Sequence, residues 1–266
     1  MAPRQRGWPR STLAVMNATF LPPTVPLAQL HDALARQGYA LLDARTVQQW
    51  LGVSAQDLAT IQPSWDDLAS DQYLKDGGRY RQRRHSCFVV DGEQVSQAPH
   101  RAHWQPVEYN ALHGGMLRLF EPVQASVVQS LAWQRLVQRT AQAAAQLKGV
   151  QPMYVEAHQF RIDTTDGIGR PTPEGAHRDG VDVVAVFMVG RHDIKGGESR
   201  VFEAYGPNGQ RFTLTEPWSV LLMDDSRVIH ESTPIQPLDT QHPGWRDTLV
   251  LTCRAGAFLG DDAPAA

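Results

Sequence analysis

The spacing of hydrophobic and polar positions changes near residue 150, and the two parts of the chain predict different kinds of structure. Before that point, apolar residues recur every three or four positions, as in the segment 27–37, which is followed by Gly38. That spacing places them on one face of a helix, and a glycine commonly follows a helix end. Beyond residue 150, short apolar and β-branched runs alternate with turns that contain Gly, Pro or Asp. Such runs are typical of β-strands.

These patterns predict one domain over residues 21–260, preceded by a flexible tail over residues 1–20. A helical and mixed part is expected at about 21–149, and a β core at about 150–256. Helices are predicted at 27–37, 46–51, 54–60, 64–69 and within 122–149, with strands at 39–42 and 79–90. Further strands are predicted at 153–162, 181–189, 199–205, 212–214, 219–223, 227–230 and 246–253. So many short strands favour a sandwich or a barrel.

Composition narrows the functional classes. The chain has 266 residues, of which 42% are hydrophobic and 20% charged, with a formal net charge of -3. A weakly negative chain gives no electrostatic reason to expect nucleic acid or an anionic membrane as a partner. Cys87 and Cys253 form neither a disulfide framework nor a zinc-finger spacing. We therefore expect a reduced, cytoplasmic setting, no membrane span and a small-molecule substrate, with no prediction of oligomeric state.

One motif predicts a metal site. His177 and Asp179 stand two positions apart at the start of an apolar run, so on an extended chain both side chains point to one face. His230 follows in another β-like segment. Two histidines and one carboxylate form the facial set that binds non-haem Fe(II) and leaves coordination positions open. The spacing therefore predicts these three residues as metal ligands and as the catalytic centre.

Two alternatives remain open for this motif. A catalytic zinc site uses the same ligand types, although the H-E-x-x-H motif of many zinc hydrolases is absent from the sequence. Asp224 and Asp225 precede His230 and could compete as carboxylate ligands. Their turn-like position favours a structural role instead.

A second motif suits an anion. Arg246 and Thr248 open the last strong strand prediction and share a face by the same two-residue period. A guanidinium with a neighbouring hydroxyl can bind both oxygens of a carboxylate and add one hydrogen bond. Arg254 lies in phase with both at the far end of the strand and is the alternative anchor. A salt bridge at a strand end is the simpler structural interpretation of Arg246.

Together these residues resemble the Fe(II)- and 2-oxoglutarate-dependent dioxygenases of the double-stranded β-helix (jelly-roll, cupin-like) fold. The segments VEAHQFR at 155–161, HRDGVD at 177–182 and GGES at 196–199 look like the bacterial branch that contains L-isoleucine 4-hydroxylase and related free amino-acid hydroxylases. The resemblance covers residues 75–256, and it rests on the motifs taken together. It implies an α+β fold, with a double-stranded β-helix core and flanking helices that lie mainly before the core.

The resemblance also implies a reaction. Fe(II) would be held by His177, Asp179 and His230, and the distal carboxylate of 2-oxoglutarate by Arg246 with help from Thr248. O2 would be the second co-substrate, and succinate and CO2 the co-products. The enzyme would hydroxylate an unactivated C–H bond of a free L-amino acid or a close derivative.

A free amino acid needs a cation for its carboxylate and an acceptor for its ammonium group. Arg83, Arg84 and Arg161 are the candidate cations, and Glu156 or Asp182 is the candidate acid. Gln159 shares a strand face with Arg161 and is favoured as the pocket-lining partner. The neighbouring His158 then faces the other way and is interpreted as structural, like the three histidines of the polar loop at 99–115: His100, His103 and His113.

Other functions fit the same residues. The same iron chemistry could hydroxylate, desaturate or cyclise a natural-product or carrier-bound intermediate. A cupin-like binding or sensor domain could use the three metal ligands structurally. Halogenation is disfavoured because iron halogenases of this type have a small residue where Asp179 stands.

Overall fold

The computed structural model describes residues 20–261 of the chain. The predicted tail over residues 1–20 lies outside this range, apart from Phe20. None of the helices between residues 20 and 261 has the length and hydropathy that a membrane span requires.

Within the described residues, five α-helices precede or flank the β core, in good agreement with the predicted positions. They are α1 (Leu30–Gln37), α2 (Ala44–Leu51), α3 (Ala55–Ile61), α4 (Ala125–Val128) and α5 (Leu131–Lys148). Gly38 ends α1 in the left-handed conformation, with φ of 81°, and the Ser54 side chain caps α3. The helix predicted at 64–69 is a 3-10 helix at Gln62–Asp67 instead. Pro63 stands in its first turn, where a missing N–H is tolerated.

Twelve strands form the β part of the described chain. They are β1 (Tyr39–Leu42), β2 (Arg81–Asp91), β3 (Gln94–Gln97), β4 (Met153–Asp163), β5 (Val183–His192), β6 (Ile194–Gly196), β7 (Ser199–Glu203), β8 (Gly209–Phe212), β9 (Val220–Asp224), β10 (Val228–Ser232), β11 (Ile235–Pro237) and β12 (Trp245–Ala255). The large sheet has the order β1-β9-β5-β12-β4-β2-β3, and the smaller sheets are β10-β7-β8 and β11-β6. Strands β1 to β3 thus extend the large sheet beyond the β core predicted from residue 150.

The large sheet separates two hydrophobic layers. One face packs against the helices, where Trp65 and Trp133 are among the fully buried side chains. The other face packs against the small sheet through Met188 of β5, Val201 of β7 and Phe212 of β8. Two facing antiparallel sheets with helices outside them form the predicted double-stranded β-helix in an α+β fold.

The two-residue period of each strand decides which side chains reach the space between the sheets. On β4, Val155 and Ala157 pack in the layer that contains the helices. The side chains of His158, Phe160 and Ile162 therefore point to the opposite face, and all three line the cavity between the sheets. That cavity opens to solvent, and the empty space within it and at its mouth amounts to about 940 Å³.

Candidate functional site

The predicted metal ligands come together at one wall of this cavity. His177 and His230 form an isolated antiparallel bridge, with backbone hydrogen bonds of 3.0 and 2.9 Å. Their Nε2 atoms lie 3.9 and 3.6 Å from the carboxylate oxygens of Asp179. Strand β5 begins only at Val183, so His177 and Asp179 lie in the extended segment before the strand rather than within it.

This donor set fits Fe(II). The His177 Nδ1 atom lies 3.0 Å from the carbonyl oxygen of Gly175, so its N–H donates there and leaves the lone pair on Nε2. Burial, followed by the neighbouring His177, lowers the pKa of His230, which keeps its imidazole neutral. Two imidazole nitrogens and one carboxylate are ligands that non-haem iron accepts, and all three side chains line the cavity.

Asp225 holds the segment that carries Asp179. Its carboxylate accepts hydrogen bonds from the backbone N–H groups of Asp179, Gly180 and Val181, at 3.0, 2.8 and 3.2 Å. Both of its oxygens are therefore occupied by backbone donors. This contact agrees with the structural role predicted for Asp225, which orients the candidate ligand rather than competing with it.

Gly180 completes the turn after Asp179. Its φ is +78°, and a Cβ atom at this position would lie 2.4 Å from the ring of Tyr109. The residue therefore needs both the left-handed backbone and the missing side chain. It lets the chain turn towards the buried strand β5.

Arg246 and Thr248 of β12 both line the cavity. Arg246 is 3% exposed, and its Nε and Nη2 atoms are buried without a hydrogen-bond partner. Arg191 of β5 lies directly opposite in the strand register, and burial followed by Arg191 lowers the pKa of Arg246 to about 9. An unpaired guanidinium beside a second one is a site for an anion, which fits the distal carboxylate of 2-oxoglutarate.

The alternative anchor, Arg254, lies elsewhere. Its Nη1 atom donates to the carbonyl oxygens of Ala257 and Phe258, at 3.0 and 3.1 Å, and the side chain is not among those that line the cavity. The position at the far end of β12 explains this, since the strand runs past the cavity before it reaches Arg254. Arg246 is the better candidate for the anchor.

Three of the predicted substrate residues face away from the cavity, and these predictions were wrong. The Gln159 amide donates to Ser64 Oγ at 2.8 Å, and Arg161 pairs with Asp247 at 2.7 Å. Arg84 donates to the carbonyl oxygens of Asp67 and Pro122.

Strand parity explains the error. The odd positions of β4 continue the apolar face of Val155 and Ala157, and Gln159 belongs to that face. On β2, Phe88 and Val90 pack with the helices, which puts Arg84 on the same side. The apolar alternation in the sequence contained this signal, because the helix-covered face had to be the more hydrophobic one.

Arg83, by contrast, reaches the cavity, as predicted. It is 3% exposed, its guanidinium lies 3.7 and 4.5 Å from the ring centroids of Phe120 and Phe160, and its Nη2 lies 2.7 Å from Nδ1 of His158. The sequence interpretation had placed His158 away from the pocket. That was wrong, since His158 and Arg83 both line the cavity.

Glu156 lies at the centre of a buried histidine group rather than at the cavity surface. Its Oε2 atom is 3.0 Å from His85 Nε2, 2.6 Å from His103 Nδ1 and 3.8 Å from His158 Nε2. Burial raises the pKa of Glu156, but the two nearest histidines lower it by more. The net shift is to low values, so the carboxylate is ionised. The possible ligand atoms of Glu156 and these three histidines lie within 4.8 Å of one another, as do those of His177, Asp179 and His230.

Sequence reasoning missed Gln105 and Arg118. The Gln105 amide donates from Nε2 to Asp179 Oδ1 at 3.1 Å and accepts at Oε1 from Arg118 Nη2 at 2.9 Å. Arg118 is 2% exposed, while its neighbours Leu117 and Leu119 are 66% and 56% exposed. An arginine between two leucines is usually the exposed residue of the three. Here the arginine is buried and the leucines are exposed, so the alternation in the sequence predicts the opposite of the observed arrangement.

Comparisons with known proteins show to which family the chain belongs. The 2OG-Fe dioxygenase model matches residues 62–252. The chain is 49% identical to a bsmA homolog from Methylobium petroleophilum PM1, whose crystal structure superposes with a TM-score of 0.85 over 92% of this chain and 98% of that one. It is 17% identical to IDO from Bacillus thuringiensis, with a TM-score of 0.71 over 87% of this chain and 100% of that one.

A curated relative is more distant in sequence. It is 3(1)-hydroxy-L-isoleucine 4-dioxygenase from Pantoea ananatis (strain AJ13355), 20% identical over 231 residues, or 82% of this chain and 92% of that protein. The family model, which covers most of the chain, decides the assignment. The chain therefore belongs to the 2OG-Fe dioxygenase family, and it is a non-haem iron enzyme that uses Fe(II), 2-oxoglutarate and O2.

Proposed function

We propose that this dioxygenase hydroxylates an unactivated C–H bond of a free L-amino acid or a close derivative. The observation that carries the proposal is a cavity with three candidate metal ligands and two separate groups of buried arginines. One group suits the co-substrate, and the other suits a second small molecule that carries a carboxylate. The Pantoea relative, which is named as a dioxygenase of a hydroxylated isoleucine, supports an amino acid as that second molecule.

In this proposal His177, Asp179 and His230 hold the metal. Arg246, with Thr248 beside it, binds the distal carboxylate of 2-oxoglutarate. When bound, Fe(II) and 2-oxoglutarate allow O2 to oxidise the substrate C–H bond, and succinate and CO2 are the co-products.

The residues of the chain position the reactants and exclude water. Phe160, Ile162 and Val250 give the cavity apolar walls, which keep the site dry and strengthen its charged contacts. Asp225 and Gln105 both hydrogen-bond to the Asp179 residue and keep its carboxylate in place. Such orientation is what allows one C–H bond to be chosen among several similar ones.

The test is succinate formation from 2-oxoglutarate by the Fe(II)-loaded protein, with each of the twenty common L-amino acids in turn. At least one amino acid should raise succinate formation well above the rate without substrate, and its product should contain one added oxygen atom by mass spectrometry. His230→Ala should abolish both signals. His242→Ala, whose side chain is 77% exposed, is the matched control and should retain them.

Two results would contradict the proposal. If no amino acid stimulates succinate formation although 2-oxoglutarate binds, the substrate is not a free amino acid. If His230→Ala retains full turnover, the assignment of the metal ligands is wrong.

A further inference from the structure

A group of three buried arginines lines the cavity. Arg81, Arg83 and Arg118 are 6%, 3% and 2% exposed, and all three line the cavity. Asp71 lies 2.7 Å from Arg81 and 3.7 Å from Arg83. Within residues 20–261, no carboxylate oxygen lies within 4.0 Å of the Arg118 guanidinium. One carboxylate therefore serves two guanidinium groups, and the third has none.

Several hydrogen-bond donors of this group are also unused. The Nη2 atom of Arg81 and the Nε atoms of Arg83 and Arg118 are buried without a partner. Burial, followed by the neighbouring Arg81, lowers the pKa of Arg118 to about 10, although Asp71, Glu174 and Glu156 act in the opposite direction. A buried charge without a partner is strongly unfavourable, so this wall is built to receive an anion.

This anion site is separate from the one at Arg246. In the strand register, Arg81 of β2 lies beside Ile162 of β4, and Ile162 lies beside Arg246 of β12. Two strand spacings therefore separate the backbones of the two arginines, or about 10 Å. A carboxylate held by Arg246 lies on the far side of Ile162, and the second group remains available for another molecule.

Arg118 is also linked to the candidate metal site. The amide of Gln105 accepts from Arg118 Nη2 at 2.9 Å and donates to Asp179 Oδ1 at 3.1 Å. One side chain thus spans the gap between the guanidinium and the carboxylate ligand. A small molecule bound to Arg118 would have its next few carbon atoms near the candidate metal site.

His103 adds an acceptor beside these donors. Its Nδ1 lies 2.6 Å from Glu156 Oε2, so the N–H points to the ionised carboxylate and the lone pair lies on Nε2. Burial lowers the pKa of His103 to about 4, which leaves the ring neutral near pH 7. His103 lines the cavity, and within the described chain no side chain hydrogen-bonds to its Nε2.

The same charges argue against a second metal ion among His85, His103, Glu156 and His158. A divalent cation there would lie close to the positive charges of Arg83 and Arg118, and Arg83 Nη2 lies only 2.7 Å from His158 Nδ1. Like charges at such distances repel strongly in a buried site. The histidine group is better suited to orient His103 than to bind a metal.

We infer that Arg118 and Arg83 bind the carboxylate of the amino-acid substrate, and that His103 accepts a hydrogen bond from its ammonium group. This inference rests on the proposed function and adds the residues that recognise the substrate. In this arrangement the carboxylate and the ammonium group of the substrate, rather than its side chain, bind to Arg118, Arg83 and His103. The side chain then extends towards the metal.

The experiment is calorimetric titration without O2 on the protein loaded with Fe(II) and 2-oxoglutarate. The twenty common L-amino acids are titrated first, and the tightest binder is compared with its carboxamide and its 2-hydroxy acid. Arg118→Gln should weaken binding of the amino acid at least about 30-fold, and should change binding of the carboxamide less than about threefold. Arg118→Lys retains the charge but not the planar fork, so it should lose less.

His103→Leu tests the ammonium contact. It should weaken binding of the amino acid about tenfold, and it should leave the 2-hydroxy acid almost unchanged because that analogue has no ammonium group. Arg84→Gln is the matched control, since Arg84 neighbours Arg83 but faces away from the cavity. It should bind all three compounds like the wild type.

The affinity for 2-oxoglutarate shows whether each variant is folded, and it should stay within about threefold of the wild type in Arg118→Gln. If that variant binds the amino acid as tightly as the wild type, the inference is wrong and the proposed function still stands. If the wild type binds 2-oxoglutarate but none of the amino acids, the proposed substrate class fails, and the inference fails with it.

Discussion

Replacement of Arg246 tests the proposed co-substrate anchor most directly. Its guanidinium is 3% exposed and has two donor atoms without partners, so water screens the contact little. Each hydrogen bond to a charged group contributes about 1.5–3 kcal/mol. Loss of one partner from a buried charged pair costs about 2–5 kcal/mol. We therefore expect Arg246→Gln to weaken 2-oxoglutarate binding roughly 30-fold to several thousand-fold.

The measurement is calorimetric titration of 2-oxoglutarate into the Fe(II)-loaded protein in the absence of O2. Arg254→Gln is the matched control, because Arg254 stands on the same strand but contacts the carbonyl oxygens of Ala257 and Phe258. It should bind 2-oxoglutarate within about threefold of the wild type. The reasoning is refuted if Arg246→Gln binds 2-oxoglutarate as the wild type does, or if only the Arg254 variant loses affinity.

Three further predictions concern the surroundings of the site. Asp225→Ala leaves three buried N–H groups near Asp179 without an acceptor, so we expect a loss of about 2–4 kcal/mol in the free energy of unfolding and 10- to 100-fold weaker iron binding; unchanged values in denaturant unfolding and metal titration would contradict this. Gly180→Ala should lower the unfolding temperature because of the left-handed φ and the Tyr109 ring, and Tyr109→Ala in the same chain should restore part of the loss; a variant as stable as the wild type would show that the turn adapts. The pKa of His103 in the folded protein, about 4, lies below the ordinary 6.5, so the unfolded state binds more protons between these two values. The free energy of unfolding should therefore fall by roughly 2–3 kcal/mol as the pH is lowered from 7.5 to 4.5. His103→Gln should show a shallower pH dependence in denaturant unfolding, and an equal slope would exclude His103 as the cause.

Local pattern was enough for the elements and for the proposed metal site. The period of two along an extended chain relates His177 to Asp179 and Arg246 to Thr248 within a few positions, and the structure brings both pairs to the cavity. Their roles as ligands and anchor stay predictions. The third candidate ligand, His230, reaches them through a single backbone bridge to His177.

The choice between strand faces needed more than one strand. For β4 the sequence interpretation selected Gln159, while the structure turns His158 inward. Pairing with β12 decides this, because the register aligns Thr248 with Phe160 and Val250 with His158. A shift of one residue exchanges the two faces of a strand completely. An error of one position in assigning the faces of β4 therefore selects the wrong set of side chains for the substrate site.

The sequence by itself determined the kind of chemistry, since ligand types, their spacing and the alternation of apolar residues are local properties. Only the tertiary structure decided where the second molecule can bind. Arg118 is buried between two exposed leucines, and it meets Gln105 and the cavity wall through contacts between distant segments. The physical reason is that this cluster of buried guanidinium groups is formed by residues from different strands and loops, and it exists only after the chain has brought them together.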